Sequence, residues 1–183
     1  MKNVLLVAAI ALATACGSSS KLLSSEAAQG TDFSRYKTYS FAEVQASGDT
    51  IPARYNASIA SIKNEISKQM NARGFTPVGS NGDLYINLGI VVKETAQTRE
   101  TDWRTDGRMT YMGQRNYSWQ SQDVVVGYYR QGTLDMHLVD AASRAMVWKG
   151  TVTDVVPEKE KNMAEAVESA IATLFKKFPV AAK

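Results

Sequence analysis

DLYINLGIVVK (83–93), YYRQGTLDMHLVD (128–140) and AMVWKGTVTDVV (145–156) are the segments whose reading decides the fold. The first sets Leu84, Ile86, Leu88, Ile90 and Val92 on one face and Tyr85, Asn87, Gly89 and Val91 on the other, the two-residue period of a strand. The second places Leu134, Met136 and Leu138 inward and Thr133, Asp135, His137 and Val139 outward. After AASR (141–144) the third returns, with Met146, Trp148 and Val152 expected inward and Val147, Lys149, Thr151 and Thr153 outward. One sheet face is then aliphatic and the other mixed, the pattern of an antiparallel sheet covered by helices on a single side.

Two helical periods flank these strands and supply that cover. Tyr55, Ile59, Ile62, Ile66 and Met70 fall on one stripe, with Gly74 where a helix C-terminal stop belongs. Met163, Val167, Ala170, Ile171, Leu174 and Phe178 form a second stripe. Its helix is expected to start at Pro157, with Glu158 and Glu160 at the positive end of the dipole, Lys176 and Lys177 at the negative end, and Pro179 as the stop. Upstream, DFSRYKTYSF (32–41) reads as a strand in its second half through Tyr36, Thr38, Tyr39 and Phe41, followed by a loop holding Gly48 and Pro52. The expected fold is α/β of the α+β kind, in the order β-α-β-β-β-α. It is a two-layer sandwich over residues 32–179, a mainly antiparallel sheet with two helices packed on one face. If the strands around the first helix share the sheet directly, they are parallel and the helix is a right-handed crossover.

Before this domain, Lys2 precedes an uncharged run from Val4 to Ala15, too short to span a membrane at about 20 apolar residues. A basic start, a short apolar run and small residues are the marks of a secretory signal, here residues 1–15. The small residues before Cys16, the one cysteine in the chain, resemble a bacterial lipobox, with Ala13 where leucine is usual. The expectation is lipidation of Cys16, since a lone thiol in an exported protein has no internal disulfide partner. Each buried methylene of its acyl chains would contribute about 0.8 kcal/mol of membrane affinity. Gly17 in place of a retaining aspartate points to the outer membrane, on its periplasmic side. Residues 16–31, rich in Ser, Gly and Ala, read as a flexible tether. The formal charge of +3, or +2 once Lys2 is removed, is too small for a nucleic-acid partner.

Taken together, DFSRYKTYSF, the helix ending in RGF (73–75), the DLYINLGI strand, the aromatic loop and a final helix closing on KKFP (176–179) resemble the domain-of-unknown-function 4136 family of bacterial lipoproteins. The most specific piece runs from Gly132-Thr133-Leu134 to Val147-Trp148-Lys149-Gly150. The resemblance implies an envelope-anchored protein and brings no catalytic residues with it.

The residues themselves announce no reaction. Nucleophilic catalysis needs an activated Ser, Cys or Lys beside a base, and the chain has one histidine, His137. Asp135 and His137 share a strand face and read as a weak binding candidate, with a solvated surface pair as the simpler meaning. No phosphate loop, dinucleotide fingerprint or nucleophile elbow occurs. The spacing of His, Asp and Glu suggests no metal site, and no cofactor is expected. The segment from Thr95 to Asp123 holds more. Trp103, Tyr111, Tyr117 and Trp119 alternate with Arg99, Arg104, Arg108 and Arg115, and Tyr128, Tyr129 and Arg130 follow. Tyr, Trp and Arg are enriched at binding hot spots. The loop is either an added β-ribbon laying its aromatics on the open sheet face or a binding surface. The functional expectation is a non-enzymatic envelope lipoprotein that docks a protein partner or assembly. The alternative is a module that binds an envelope glycan or lipid through the aromatic and arginine residues of 95–130.

Overall fold

A computed structural model describes residues 20–48, 54–102, 106 and 120–183. Six strands form one sheet: β1 (Lys21–Ala27), β2 (Thr38–Gly48), β3 (Thr76–Pro77), β4 (Leu84–Glu100), β5 (Asp123–Asp140) and β6 (Met146–Val155). They lie in the order β1-β6-β5-β4-β2-β3. The pairs β1–β6, β6–β5 and β5–β4 are antiparallel, while β2 runs parallel to β4 and to β3. Two helices, α1 (Arg54–Asn71) and α2 (Met163–Phe175), pack on one face and on each other. The two-layer α+β sandwich expected from the strand periods is the observed fold, and α1 is the crossover between parallel β2 and β4.

The core lies between helices and sheet. Leu84, Ile86, Leu88, Leu134, Met136, Leu138, Trp148 and Val152 come from the strands, with Ile66, Met70, Val167, Ile171 and Leu174 from the helices, all buried. The helix ends are tied together around an aromatic knot. Phe178 meets Phe33, Phe75, Trp148 and Phe175 at ring-centroid distances of 6.2, 6.4, 5.0 and 4.9 Å. Gly74, at φ 88°, closes α1 with paired bonds, its own N–H to the Asn71 carbonyl and the Phe75 N–H to the Met70 carbonyl. Arg73 then donates to the carbonyls of Gln69 and Val180 and lies over the Phe175 ring at 4.9 Å. The RGF and KKFP motifs are therefore the knot that locks the two helices.

Four expectations are corrected. Residues 21–27, read as tether, form β1, whose backbone pairs with β6 from Lys21↔Thr153 to Ala27↔Trp148. The strand escapes a hydropathy reading because its hold is the backbone ladder and serine hydroxyls. Ser24 Oγ donates to Thr151 Oγ1 at 3.1 Å, and Ser25 Oγ accepts the Trp148 indole N–H at 3.2 Å. Second, β2 starts at Thr38, after a 3-10 turn at Phe33–Arg35, and runs to Gly48, which was expected in a loop. Third, Met146 faces out at 46 % exposure and Val147 faces in at 6 %. The ladder steps from Leu138↔Trp148 to Val139↔Met146, so Val147 is an extra, bulged residue that inverts the alternation before Trp148. Fourth, α2 starts at Met163 and not at Pro157. The chain is still extended at Val156, whose N–H bonds the Arg130 carbonyl, and a 3-10 turn at Glu160–Asn162 intervenes. The acid in the first helical turn is Glu165.

Two carboxylates pin the end of the sheet where the β5–β6 turn lies. Asp140 Oδ1 accepts the N–H groups of Ala142 and Ser143 at 2.8 and 2.9 Å, and its Oδ2 accepts the Tyr36 hydroxyl at 2.8 Å. Asp83 Oδ2 accepts the N–H groups of Lys37 and Thr38 at 2.8 and 2.9 Å. The backbone bond from Ser143 and the bond from Tyr36 hold the Asp140 carboxyl below its ordinary value, and the bonds from Lys37 and Thr38 do the same for Asp83. In the unfolded chain both groups take up protons first as pH falls. Their contribution is therefore present above the ordinary carboxylate value of 3.8 and is lost on acidification through the lowered folded values. Asp140→Asn is expected to be less stable at neutral pH and to lose less stability between neutral pH and pH 3, read by denaturant unfolding across that range. An acid limb as steep as that of the parent would refute the assignment.

Candidate functional site

The longest strands outrun their neighbours. β2 reaches only Gly48, opposite Val92, and β6 reaches only Val155, opposite Gln131. Past that point β4 and β5 continue as a pair, from Lys93↔Gln131 to Glu100↔Asp123. At about 3.3 Å per residue, this two-stranded arm extends the pair by about 25 Å. Its residues are open: Val125, Val126 and Tyr128 are 54, 50 and 66 % exposed. The expected β-ribbon is thus present in residues 93–100 and 123–130, but it stands off the sheet end and does not lay Tyr128 on the open face.

Near the tip the arm is held by polar contacts. Arg99 grips Asp106 in a fork, with its two terminal nitrogens 2.6 and 2.7 Å from the two carboxylate oxygens, and the Asp102 N–H donates to the same carboxylate at 3.0 Å. Thr101 and Gln122 bridge the strands, the Thr101 N–H to the Gln122 carbonyl and the Gln122 N–H to Thr101 Oγ1, both at 2.9 Å. Arg99 is therefore an organiser of the arm through a carboxylate. This ion pair, seven residues apart, leaves no periodic signal in the sequence.

Of the candidate binding residues, Tyr128, Tyr129 and Arg130 lie on the arm, with Tyr128 and Arg130 exposed and Tyr129 half-buried. Trp103, Arg104, Arg108, Tyr111, Arg115, Tyr117 and Trp119 lie outside the described residues, as does Cys16 with the signal segment. Asp135 and His137 lie elsewhere, on the open face of the sheet proper. Asp135 Oδ1 accepts the Thr151 hydroxyl at 2.6 Å, while exposed His137 stands in register between Asn87 and Lys149. The carboxylate is thus committed to Thr151 in a hydroxyl chain from Ser24, and Lys149 pairs with Glu26 at 3.1 Å. Among the described residues no three His, Cys, Asp or Glu side chains gather in a metal-binding group.

An apolar cleft of about 110 Å³ opens between the helices and the sheet, lined by Ile59, Ile62, Ile90, Val152, Met163 and Val167. That volume is below the about 150 Å³ of a closed cavity that holds one benzene molecule. The polar cleft at the other end is bordered by Tyr36, Asp83 and Asp140, whose hydrogen bonds are spent on the turns they pin. The arm is the feature that the fold itself does not use.

The molecule is thus a two-layer α+β sandwich with a protruding β-arm. The family of the Domain of unknown function (DUF4136) matches residues 24–180, and the chain belongs to that family. The match begins inside β1, in keeping with its place in the sheet. A DUF4136 family protein from Bacteroides thetaiotaomicron is 14 % identical, with a TM-score of 0.50 over 88 % of this chain and 96 % of that one. A PDZ domain protein from Parabacteroides distasonis is 11 % identical, with a TM-score of 0.51 over 91 % of this chain. This chain spans 38 % of that protein's length. At such identities the likeness establishes the fold alone. No curated protein sequence matches the chain. Among the described residues no helix is long and apolar enough to cross a membrane.

Proposed function

We propose that the chain is a non-catalytic lipoprotein of the bacterial envelope, held in the outer membrane on its periplasmic side by acyl chains on Cys16, which docks a protein partner through the β4–β5 arm. The observation that carries this reading is the arm itself, two strands that pair with no third strand of the described residues beyond Val92 and Gln131, with Val125, Val126 and Tyr128 exposed. A two-stranded ribbon alone in water is marginally stable. Unpaired strand edges are a template for further strands, which proteins normally blunt or cover. An arm of this length is best explained by a partner that covers it. The signal-like residues before Cys16 support the anchor, and the small volume of the apolar cleft among the described residues favours a protein over a small ligand.

The test is photocrosslinking in living cells from Val125, Tyr128, Trp103 and Trp119, with palmitate labelling of the parent and of Cys16→Ser. A discrete protein adduct from the arm positions, with palmitate incorporation that Cys16→Ser abolishes, is the expected result. The open ring of Tyr128 would also suit stacking on a sugar. A glycan or lipid adduct in place of a protein one would replace docking by ligand binding. No adduct from any arm position would refute both.

A further inference from the structure

We infer that the open face of the sheet, at the opposite end of β4 from the arm, binds a ligand carboxylate, with the Arg144 guanidinium as the cation and Ser40 Oγ and the Asn87 amide as neutral donors. The site is separate from the arm and does not depend on what covers it. It is a shallow pocket of about 400 Å³ bordered by Ser40, Asn81, Tyr85, Asn87, Val139 and Arg144, a volume within the range of small-molecule sites. Strand register builds its floor. Ser40 pairs with Tyr85 and Tyr85 with Val139, so β2, β4 and β5 set these three residues side by side on the face away from the helices. Asn87, two residues along β4, shares that face.

Ser40 is 2 % exposed, and among the described residues its Oγ has no hydrogen-bond partner. Buried hydroxyls are nearly always bonded, so one left open beside a pocket calls for an acceptor from outside the chain. Arg144 is uncommitted in the same way. Its φ of 60° lies in the left-handed region, where glycine is the unstrained choice, and its guanidinium stands 5.3 Å from the centroid of the Tyr85 ring. Stacking uses the face of the guanidinium and leaves its in-plane N–H groups as a fork. That fork makes no ion pair or hydrogen bond with a described residue. Asn81, at φ 56°, borders the same pocket and is the other non-glycine residue of positive φ among the described residues. The donors select the ligand. A guanidinium only donates, the hydroxyl and the amide can donate, and no described Asp or Glu borders the pocket. The complement is a planar pair of acceptor oxygens with one negative charge, which is a carboxylate. A doubly charged phosphate fits less well. Arg144 is the one described cation bordering the pocket, and the Asp83 and Asp140 carboxylates border the adjoining cleft, which shares Asn81 and Tyr85 with it.

The experiment titrates the full chain carrying Cys16→Ser, labelled with nitrogen-15, with two probes followed by NMR. N-acetylalanine presents the carboxylate of a peptide end, and glucuronate presents that of a sugar acid. Saturable shifts at the amides of Ser40, Tyr85, Asn87 and Arg144 are expected from at least one of them, and the probe that binds more tightly names the source. Their neutral counterparts, N-acetylalanine amide and glucose, should leave those signals in place. Arg144→Gly suits the positive φ, so it should fold at least as stably as the parent while binding at least about tenfold more weakly, the loss of a charge-assisted fork. Ser40→Ala removes a buried hydroxyl that has no partner in the chain, so it should keep its stability and bind more weakly by about fivefold or more. Shifts from neither acid, equal shifts from the neutral probes, tighter binding of inorganic phosphate, or full affinity in Arg144→Gly would each overturn the inference.

Discussion

Trp148→Ala is expected to cost about 3–5 kcal/mol of folding stability, the range for deleting a large buried aromatic. The indole is 1 % exposed, sits 5.0 Å from the Phe178 ring and 6.3 Å from that of Phe175, and donates its N–H to Ser25 Oγ. Its removal opens a cavity at the centre of the aromatic knot and frees one anchor of β1. Gly150 belongs to the same arrangement, because a Cβ there would lie 2.5 Å from Trp148 Cη2. Gly150→Ala should therefore cost more in the parent than in Trp148→Ala, a coupling that denaturant unfolding of the four proteins, followed by circular dichroism, would read as non-additivity. A loss under about 1 kcal/mol for Trp148→Ala would mean that the knot closes over the gap, against the range expected for a site so enclosed.

The second large effect is at Gly82, where the chain enters β4 beside β2. A Cβ added there would stand 2.6 Å from the Tyr39 carbonyl carbon and 2.8 Å from the Ser40 nitrogen. Both are backbone atoms of a sheet strand, so no side-chain rotation relieves the contact. Gly82→Ala must push β2 away from β4 or drag Asp83 off the N–H groups of Lys37 and Thr38, at a cost of about 3 kcal/mol, the upper part of the overpacking range. Equilibrium unfolding gives the loss, and faster amide exchange at Lys37 and Thr38 would show that the Asp83 clasp has opened. Unchanged stability and unchanged exchange would show that β2 and β4 approach less closely here than the structure has them.

Trp148→Ala bears on one of the motifs that carry the family resemblance. Val147-Trp148-Lys149-Gly150 is a bulged valine, a buried indole and the glycine that gives the indole room. Arg73-Gly74-Phe75 is a helix stop with a guanidinium clamped on the far end of α2. The most recognisable residues of this chain are thus explained by folding, which is why a family resemblance carried on them conveys architecture and no activity.

What could be read from residues alone was whatever repeats with a local period. The alternation in 84–88 and 134–138 and the helical stripes through Met70 and Leu174 depend on each residue's place relative to a buried face, and Leu84, Ile86, Leu88, Leu134, Met136, Leu138, Ile66, Met70, Val167, Ile171 and Leu174 are buried as assigned. Gly74 was legible for a related reason, since its positive φ is a local demand. The features that only the tertiary structure decided have no such period. β1 is polar and serine-rich and becomes a strand because the β6 edge offers it a backbone ladder. The bulge at Val147, and that at Val126 where the β4–β5 ladder steps from Gln97↔Gly127 to Thr98↔Val125, follow from how partner strands line up, so the reversal of Met146 and the re-phasing of the arm are invisible in one strand's pattern. The arm, and with it the candidate site, exists because β2 and β6 stop where β4 and β5 continue, a difference in length between segments far apart in sequence. Local sequence sets which face of each element is buried; the pairing of distant edges decides where the sheet ends and what it leaves open.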